Sequence, residues 1–442
     1  MANKISDKDQ KQMAVPATRA GRFMRMAKMA GGVTGGMLAE GTRQLAAGKR
    51  PKVRDMLLTP GNAKRVADQL SAMRGAAMKV GQILSMESDQ FLPKELADIL
   101  AQLRSNAHSM PAKQLEQALV EAYGEDWQYE FYHFNGVPIA AASIGQVHRV
   151  TTVDGADIVL KIQFPGIDKS IDSDVDNIAA LLGATGLLPD SIDLQPLLND
   201  AKQQLHDEAD YLKEAKYLQS FSESLADDQR FTVPKYHKQF STRKILAMDY
   251  VEGEAIEEVA KLDQQERNRV MTCLIELALR ELFELRLIQS DPNFANYLYN
   301  SSNKKIVLLD FGASRKLKAN FVNHYRQLAA AAIDADGEKI LIAAEKLGYQ
   351  LTEASDDYQQ LVLKLFLIAL EPLREDIEYD FSNTDLANRL AELSNDVGDF
   401  KEFWQAPPTD ILYLHRKIGG MFLMASKLNA QVNVYRLIKP WL

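Results

Sequence analysis

Cysteine is nearly missing from this 442-residue chain: the only one, Cys273, sits in the apolar run Val270 to Leu279. A single thiol cannot build a disulfide framework, and its helical, apolar setting points to a buried side chain and a reducing compartment. Long hydrophobic runs are missing too. Even Leu361 to Leu370 falls short of the ~18 residues of a membrane span, and it carries Lys364. Neither end of the chain reads as a secretion signal. No stripe of interleaved basic and aromatic residues appears, and the formal net charge is -8, which argues against nucleic acid as a partner.

What is present describes a globular protein. With 46% hydrophobic and 25% charged residues the chain can build cores along most of its length, and at 442 residues it exceeds one core, so two or three subdomains are expected. The charge is uneven: residues 1–54 hold twelve Lys or Arg against Asp7, Asp9 and Glu40, so this segment carries +9 and the remainder -17. Arg19, Arg22, Arg25 and Lys28 interleave with Phe23, Met24, Met26 and Met29. That pattern reads either as a basic tail or as a contact with an anionic membrane surface. Gly32 and Gly36 would allow close helix packing or serve as a hinge. From Ala63 to Met86 the pattern is amphipathic and contains Lys79-Val80-Gly81-Gln82. A glycine inside a helix costs about 1 kcal/mol relative to alanine, so Gly81 suggests a close approach to a neighbour.

Further along, residues 111–123 read as a helix and Phe131 to Val137 as a strand. A small-residue loop follows, Pro138-Ile139-Ala140-Ala141-Ala142-Ser143-Ile144-Gly145. Val147 to Val153 and Ile158 to Phe164 then form a hairpin pattern across Asp154-Gly155. Lys161 falls on the second of these two strands, where it either snorkels or reaches phosphate. A long helical segment, Leu194 to Phe221, contains Glu208, Asp210 and Glu214, any of which is a candidate to hold Lys161; Asp210 and Glu214 share a face and Glu208 is turned away. Ile245 to Val251 reads as a strand ending in Glu252-Gly253, a hinge. Gln265 to Leu285 is an apolar helix.

The stretch Leu287 to Arg315 organises the rest. Asp291 is followed five residues later by Asn296, then by a hairpin pattern, then by the apolar run Ile306 to Leu309, which ends in Asp310-Phe311-Gly312. Phosphoryl-transfer sites of the kinase type are spaced in this way, with one carboxylate near the attacking group and an amide oxygen and a second carboxylate for Mg²⁺. Each piece alone is compatible with an ordinary turn; the ordered set is not. After Arg315 the pattern is helical to the C-terminus, with a turn-rich break at Gln405 to Thr409.

Taken together, Lys79-x-Gly81-Gln82, Ala140-Ala141-Ala142-Ser143, Glu208-x-Asp210, Asp291 with Asn296, and Asp310-Phe311-Gly312 resemble the aarF/UbiB atypical kinases of ubiquinone (coenzyme Q) biosynthesis. Gln289-Ser290-Asp291-Pro292-Asn293-Phe294-Ala295-Asn296 and the late Leu414-His415-Arg416-Lys417-Ile418-Gly419-Gly420 are closer to the mitochondrial coenzyme Q kinase subgroup. The resemblance covers roughly residues 70–440. It implies an α+β, bilobal protein-kinase-like fold, with a small β-rich N-lobe over 111–252, a helical C-lobe over 253–442, an N-terminal helical extension over 63–110 and a basic segment over 1–62. It also implies roles. Lys161 contacts phosphate and pairs with Glu214; Asn296 and Asp310 bind Mg²⁺; Asp291 is the catalytic-loop carboxylate. Ala140, Ala141, Ala142, Ser143 and Glu252 take part in binding ATP or ADP. Lys79 and Gln82 fold over the site as regulatory residues, with Glu208 and Asp210 as partners. The expected activity is that of an ATPase or of a small-molecule or lipid kinase acting on a quinone precursor. The expected place is the cytoplasm, peripheral to the inner membrane, or the mitochondrial matrix in a eukaryote, beside ubiquinone biosynthesis enzymes. Rival readings are a nucleotide-gated scaffold without turnover and an antibiotic or sugar phosphotransferase; the latter leaves Lys79-x-Gly81-Gln82 unexplained.

Overall fold

The computed structural model describes residues 110–185, 195–397, 400 and 408–442. The readings made for residues 1–109, including Lys79 and Gln82, and most of the break at 405–409 therefore lie outside the described residues. The chain divides into two compact units. One runs to Lys216 and takes in Lys235–Tyr250; the other comprises Tyr217–Pro234 and Val251–Leu442.

The first unit opens with α1 (Ala112–Tyr123), which buries Leu115 and Leu119 one turn apart and ends at Gly124, where φ is 88°. Strands β1 (Phe131–Phe134), β2 (Ala140–Ala141), β3 (Gly145–Thr152) and β4 (Asp157–Gln163) follow. Together with β6 (Ile245–Asp249) they form a sheet in the order β1-β3-β4-β6, with β2 paired to β3. The central strand β4 is buried at every residue after Asp157, in keeping with Ile158, Val159, Leu160 and Ile162, whose apolar run is broken only by Lys161. Phe131, Phe134, Trp127, Leu160 and Ile162 gather on the core beneath it. The strand expected over Phe131 to Val137 stops at Phe134, because Asn135 Oδ1 accepts the Val137 N–H at 3.0 Å and turns the chain. On β3, the fully buried His148 donates Nδ1–H to the Asn135 carbonyl at 2.8 Å and accepts from Gln146 Nε2 at 2.7 Å. Burial pulls its pKa down to about 4, partly offset by the Asn135 carbonyl.

Helices α2 (Ile171–Thr185), α3 (Gln195–Glu208) and α4 (Tyr211–Ser224) come next. The single long helix expected over Leu194 to Phe221 is thus two helices. Its ladder is interrupted where Gln163 Nε2 takes the Ala209 carbonyl at 2.7 Å and Asp210 Oδ1 accepts from Leu212 N and Lys213 N, starting a new helix. Asp210 caps α4 rather than sharing a helical face with Glu214.

In the second unit β5 (Phe231–Thr232), β7 (Glu254–Ala255), β9 (Tyr297–Asn300) and β10 (Lys305–Leu308) form a sheet in the order β5-β10-β9-β7. α5 (Gln264–Arg280) is capped by Asp263, whose side chain accepts from Glu266 N, and passes directly into a π turn, Glu281–Leu285. Arg286 then takes a left-handed conformation, φ 50°, and delivers the chain to β8 (Leu287–Gln289), which pairs with β11 (Ser314–Lys316). A bundle of α6 (Ala319–Ile333), α7 (Gly337–Leu347) and α8 (Asp356–Ala369) packs around Leu328, Ile340, Phe366 and Ile411. The latter two helices are capped by Asp336 and Ser355. The expected all-helical C-terminus is interrupted: β12 (Tyr379–Asp380) pairs with β13 (Gln431–Val432), flanking α9 (Leu386–Val397) and α10 (Thr409–Lys427). Two-residue strands are too short to leave a period-two pattern. Among the described residues no helix is long and apolar enough to cross a membrane.

Candidate active site

The sheet of the first unit sets one group of side chains. Lys161 lies mid-way along β4, opposite Val147 of β3 and Leu246 of β6, so its stem is held on both sides. Its Nζ donates to Glu214 Oε1 at 2.8 Å and Oε2 at 3.0 Å, and the Tyr211 ring stands 5.3 Å from the ammonium. Lysine and glutamate are both buried, at 7% and 2% exposure. Of the three acidic candidates, then, Glu214 in the first turn of α4 is the one that meets Lys161. Breaking such a buried pair typically costs 3–5 kcal/mol, because the surviving charge is stranded.

The alanine segment is a hairpin arm rather than an open loop. Ala140 and Ala141 pair with Val147 and Gln146, and Ala142 N donates to the Gly145 carbonyl at 3.0 Å, closing a two-residue turn. No residue in this turn has a positive φ. Gly145 is needed for another reason: a Cβ there would lie 2.3 Å from the Ile162 carbonyl oxygen. In the turn, Ser143 Oγ donates to Glu208 Oε2 at 3.1 Å, while Asp210 Oδ2 receives Arg243 Nη2 at 3.0 Å. Glu208 and Asp210 are thereby placed on the alanine turn and on a helix cap. Their expected partners Lys79 and Gln82 lie outside the described residues.

The second unit carries the other group. β9 and β10 are antiparallel with Leu308 opposite Tyr297, and Leu309 N donates to the Asn296 carbonyl at 3.0 Å. Asn296 and Asp310 therefore end two neighbouring strands at the same level. β8 and β11 make a second clasp. Ser290 N and Oγ both donate to the Ala313 carbonyl, at 3.1 and 2.7 Å. So Asp291 and Asp310, nineteen residues apart, are tied by ladder bonds on both flanks. Asn296 Nδ2 donates to the Asp291 carbonyl at 3.1 Å, which leaves the amide oxygen to other partners, and Asp310 Oδ1 accepts the Gly312 N–H at 2.9 Å. Phe311 is 2% exposed and packs at 4.8 Å between ring centroids on Phe221.

Residues 102–344 match the ABC1 atypical kinase-like domain. The chain belongs to this family. The Saccharomyces cerevisiae protein "Atypical kinase COQ8, mitochondrial" is 35% identical over 432 residues, covering 97% of this chain and 86% of that protein. The Rattus norvegicus protein "Atypical kinase COQ8B, mitochondrial" is 36% identical over 434 residues, covering 97% and 81%. Among solved structures, the complex of Rv3197 with erythromycin from Mycobacterium tuberculosis superposes with a TM-score of 0.59 at 24% identity, covering 86% of this chain and 96% of that one. That likeness speaks for the fold alone, and the fold is the expected α+β kinase-like one.

In this ABC1 kinase-like chain several contacts come from a part of the sequence to which no site residue was attributed. Arg416 on α10 donates through Nη2 to Asp291 Oδ1 at 2.7 Å. Pro292 rests on Gly420, so closely that a Cβ there would come within 1.9 Å of the proline Cβ. Below this surface, fully buried Lys417 reaches Glu281 Oε1 and the Tyr297 hydroxyl, both at 3.2 Å. Burial alone would lower the Lys417 pKa, but Glu281 and Tyr297 outweigh it and hold the ammonium charged, with the pKa raised. The run Leu414 to Gly420, noted only for its likeness to one subgroup, was the available signal for α10; the partners of Lys417, 120 and 136 residues away, left none. Glu252, expected near nucleotide, is exposed, and its carbonyl accepts from Asn300 Nδ2 at 3.1 Å.

The donor set suits a hard cation. Asp310 could offer carboxylate oxygen and Asn296 an amide oxygen, the ligand types Mg²⁺ takes. Among the described residues no cluster of three or more His, Cys, Asp or Glu side chains could hold a metal ion. A cation here would rest on few protein oxygens and complete its shell with phosphate and water, as Mg²⁺ does in kinase and ATPase sites.

Proposed function

We propose that this ABC1-family chain is a Mg²⁺-dependent atypical kinase or ATPase that uses ATP in support of ubiquinone biosynthesis. The acceptor is either water or a quinone-precursor lipid or related small molecule. The observation that carries the reading is the double clasp that holds Asp291, Asn296 and Asp310 on adjoining strand ends. Phosphoryl transfer is mostly positioning plus charge stabilisation, and rigid placement of two carboxylates and an amide is what it requires. In this reading Asn296 and Asp310 would hold Mg²⁺, which would neutralise charge on the phosphates. Asp291 would orient the attacking hydroxyl. Lys161, fixed by Glu214, would bind phosphate oxygens, and the alanine turn with Ser143 would approach the nucleotide.

The likeness to kinases named mitochondrial supports a matrix setting in a eukaryote, or the cytoplasmic side of the inner membrane in a bacterium, beside quinone-modifying enzymes and an anionic membrane surface. The test is complementation of cells that lack their own relative, with quinone content as the readout. Wild type is expected to restore quinone and Asp310→Asn to fail at equal protein level. Equal rescue by both would favour a scaffold that never turns over ATP.

A further inference from the structure

Asn296 is one residue from Tyr297, and the Tyr297 hydroxyl is bonded from beneath. Lys417 Nζ lies 3.2 Å from that hydroxyl and 3.2 Å from Glu281, with its charge also 5.8 Å from the tyrosine ring centroid. The other Glu281 oxygen, Oε2, accepts the Gln289 backbone N–H at 3.0 Å. Gln289 Oε1 is 3.5 Å from the Tyr297 hydroxyl, and its Nε2 donates to the Asp291 carbonyl at 2.9 Å. That carbonyl is the one that also receives Asn296 Nδ2, at 3.1 Å. A closed set of hydrogen bonds therefore runs from α10 and the π turn to the amide of Asn296. The terminal amide is turned so that nitrogen faces the loop and oxygen faces away.

From this geometry we infer that Lys417, with Glu281, is a positioning residue: the buried pair fixes the height of β8 against β9 and thereby the direction in which Asn296 presents its oxygen to the cation. A helix laid under the catalytic loop thus sets metal affinity without touching metal or nucleotide. The π turn fits this role. Glu281 is its first residue, and the wider turn lets a carboxylate at the end of α5 point inward at the strand that follows. If the pair served only to hold α10 in place, two well-packed apolar side chains would do as well, since replacing a buried ion pair by hydrophobic groups is often neutral or stabilising. A positioning role demands the hydrogen bonds themselves.

The inference rests on the functional reading above, and the experiment separates the two. Binding of a fluorescent ADP analogue to the full chain would be titrated with Mg²⁺ for wild type, Lys417→Met, Tyr297→Phe and the double variant Lys417→Met/Glu281→Leu, with thermal unfolding alongside. Loss of groups that orient a metal ligand commonly weakens metal affinity by about 10- to 100-fold. Lys417→Met is expected to raise the half-saturating Mg²⁺ by at least about tenfold. The double variant is expected to recover the unfolding temperature while keeping that shift. Tyr297→Phe, which removes only the hydroxyl and leaves the ring, is expected to move Mg²⁺ dependence in the same direction with the fold intact. A double variant, or a Tyr297→Phe protein, with wild-type Mg²⁺ dependence overturns this inference alone. Nucleotide binding by wild type that ignores Mg²⁺ overturns the functional reading, and this inference with it.

Discussion

Lys161 and Glu214 are two charges that burial forces to depend on each other. Glu214→Gln leaves an ammonium at 7% exposure without its counter-charge, and the expected loss is about 3 kcal/mol, read from the urea midpoint. No loss would mean that the lysine finds another carboxylate. From residue chemistry alone Glu208, Asp210 and Glu214 are all candidates, and a single helix over Leu194 to Phe221 would put Asp210 on one face with Glu214. The cap at Asp210 resets the helical phase, and only the resemblance to a family singled out Glu214. His148 was not legible at all: its role depends on the Asn135 carbonyl and on Gln146, which the sheet brings to it. Its folded pKa of about 4 lies below the ordinary 6.5, so the unfolded chain takes up the proton first. Stability is expected to fall as pH drops from about 6.5 to about 4, by up to about 3 kcal/mol for this group. Unfolding curves across that range should show the loss in wild type and a smaller one in His148→Leu; equal slopes would remove His148 as the cause.

At the scale of elements, the strongest claim concerns α10. Gly419 and Gly420 are neighbours on one helix, yet a Cβ on the first meets nothing within 4 Å and a Cβ on the second would overlap Pro292. Gly419→Ala is expected to be neutral or to stabilise by about 1 kcal/mol through helix propensity. Gly420→Ala is expected to push the Asp291-Pro292 segment away and to cut ATP turnover by up to about a hundredfold, on the order of what a 1 Å displacement costs. Equal activities of the two variants would show that the loop tolerates the shift. The central strands were readable because β3 alternates and β4 is apolar at Ile158, Val159, Leu160 and Ile162, across the Asp154-Gly155 turn. The strands β12 and β13 were not, and neither was the parallel pairing of β5 with β10, since such short segments are strands only by virtue of distant partners. The alanine segment looked like a loop because small residues carry no period. Its pairing with β3 implies that Ala140→Gly weakens a strand by about 0.5–1 kcal/mol besides any change in the preference for ATP over ADP.

Over the whole molecule, family and fold were legible because widely spaced motifs appear in a fixed order, and order across two hundred residues is rarely an accident of composition. The contacts of α10 with Asp291 and Glu281 were not legible, since they join residues more than a hundred positions apart. Charge makes its own statement at this scale. With +9 on residues 1–54 and -17 on the rest, co-sedimentation of the full chain with anionic liposomes is expected to weaken as salt rises, the Debye length being ~8 Å at physiological ionic strength. Salt-independent binding would point to apolar insertion instead.

The central claim, that Asp291, Asn296 and Asp310 form the metal-dependent centre of a phosphoryl-transfer enzyme, is tested most directly by ATP turnover of the full chain. The assay would include Mg²⁺, anionic liposomes and a phenolic lipid, and would compare wild type with Asp310→Asn at matched thermal stability. Wild type is expected to release phosphate or phosphorylate the lipid only with Mg²⁺, and Asp310→Asn to lose at least about a hundredfold in rate, as removal of a principal charge-stabilising group does. Equal turnover by the two proteins, or turnover indifferent to Mg²⁺, would contradict the claim.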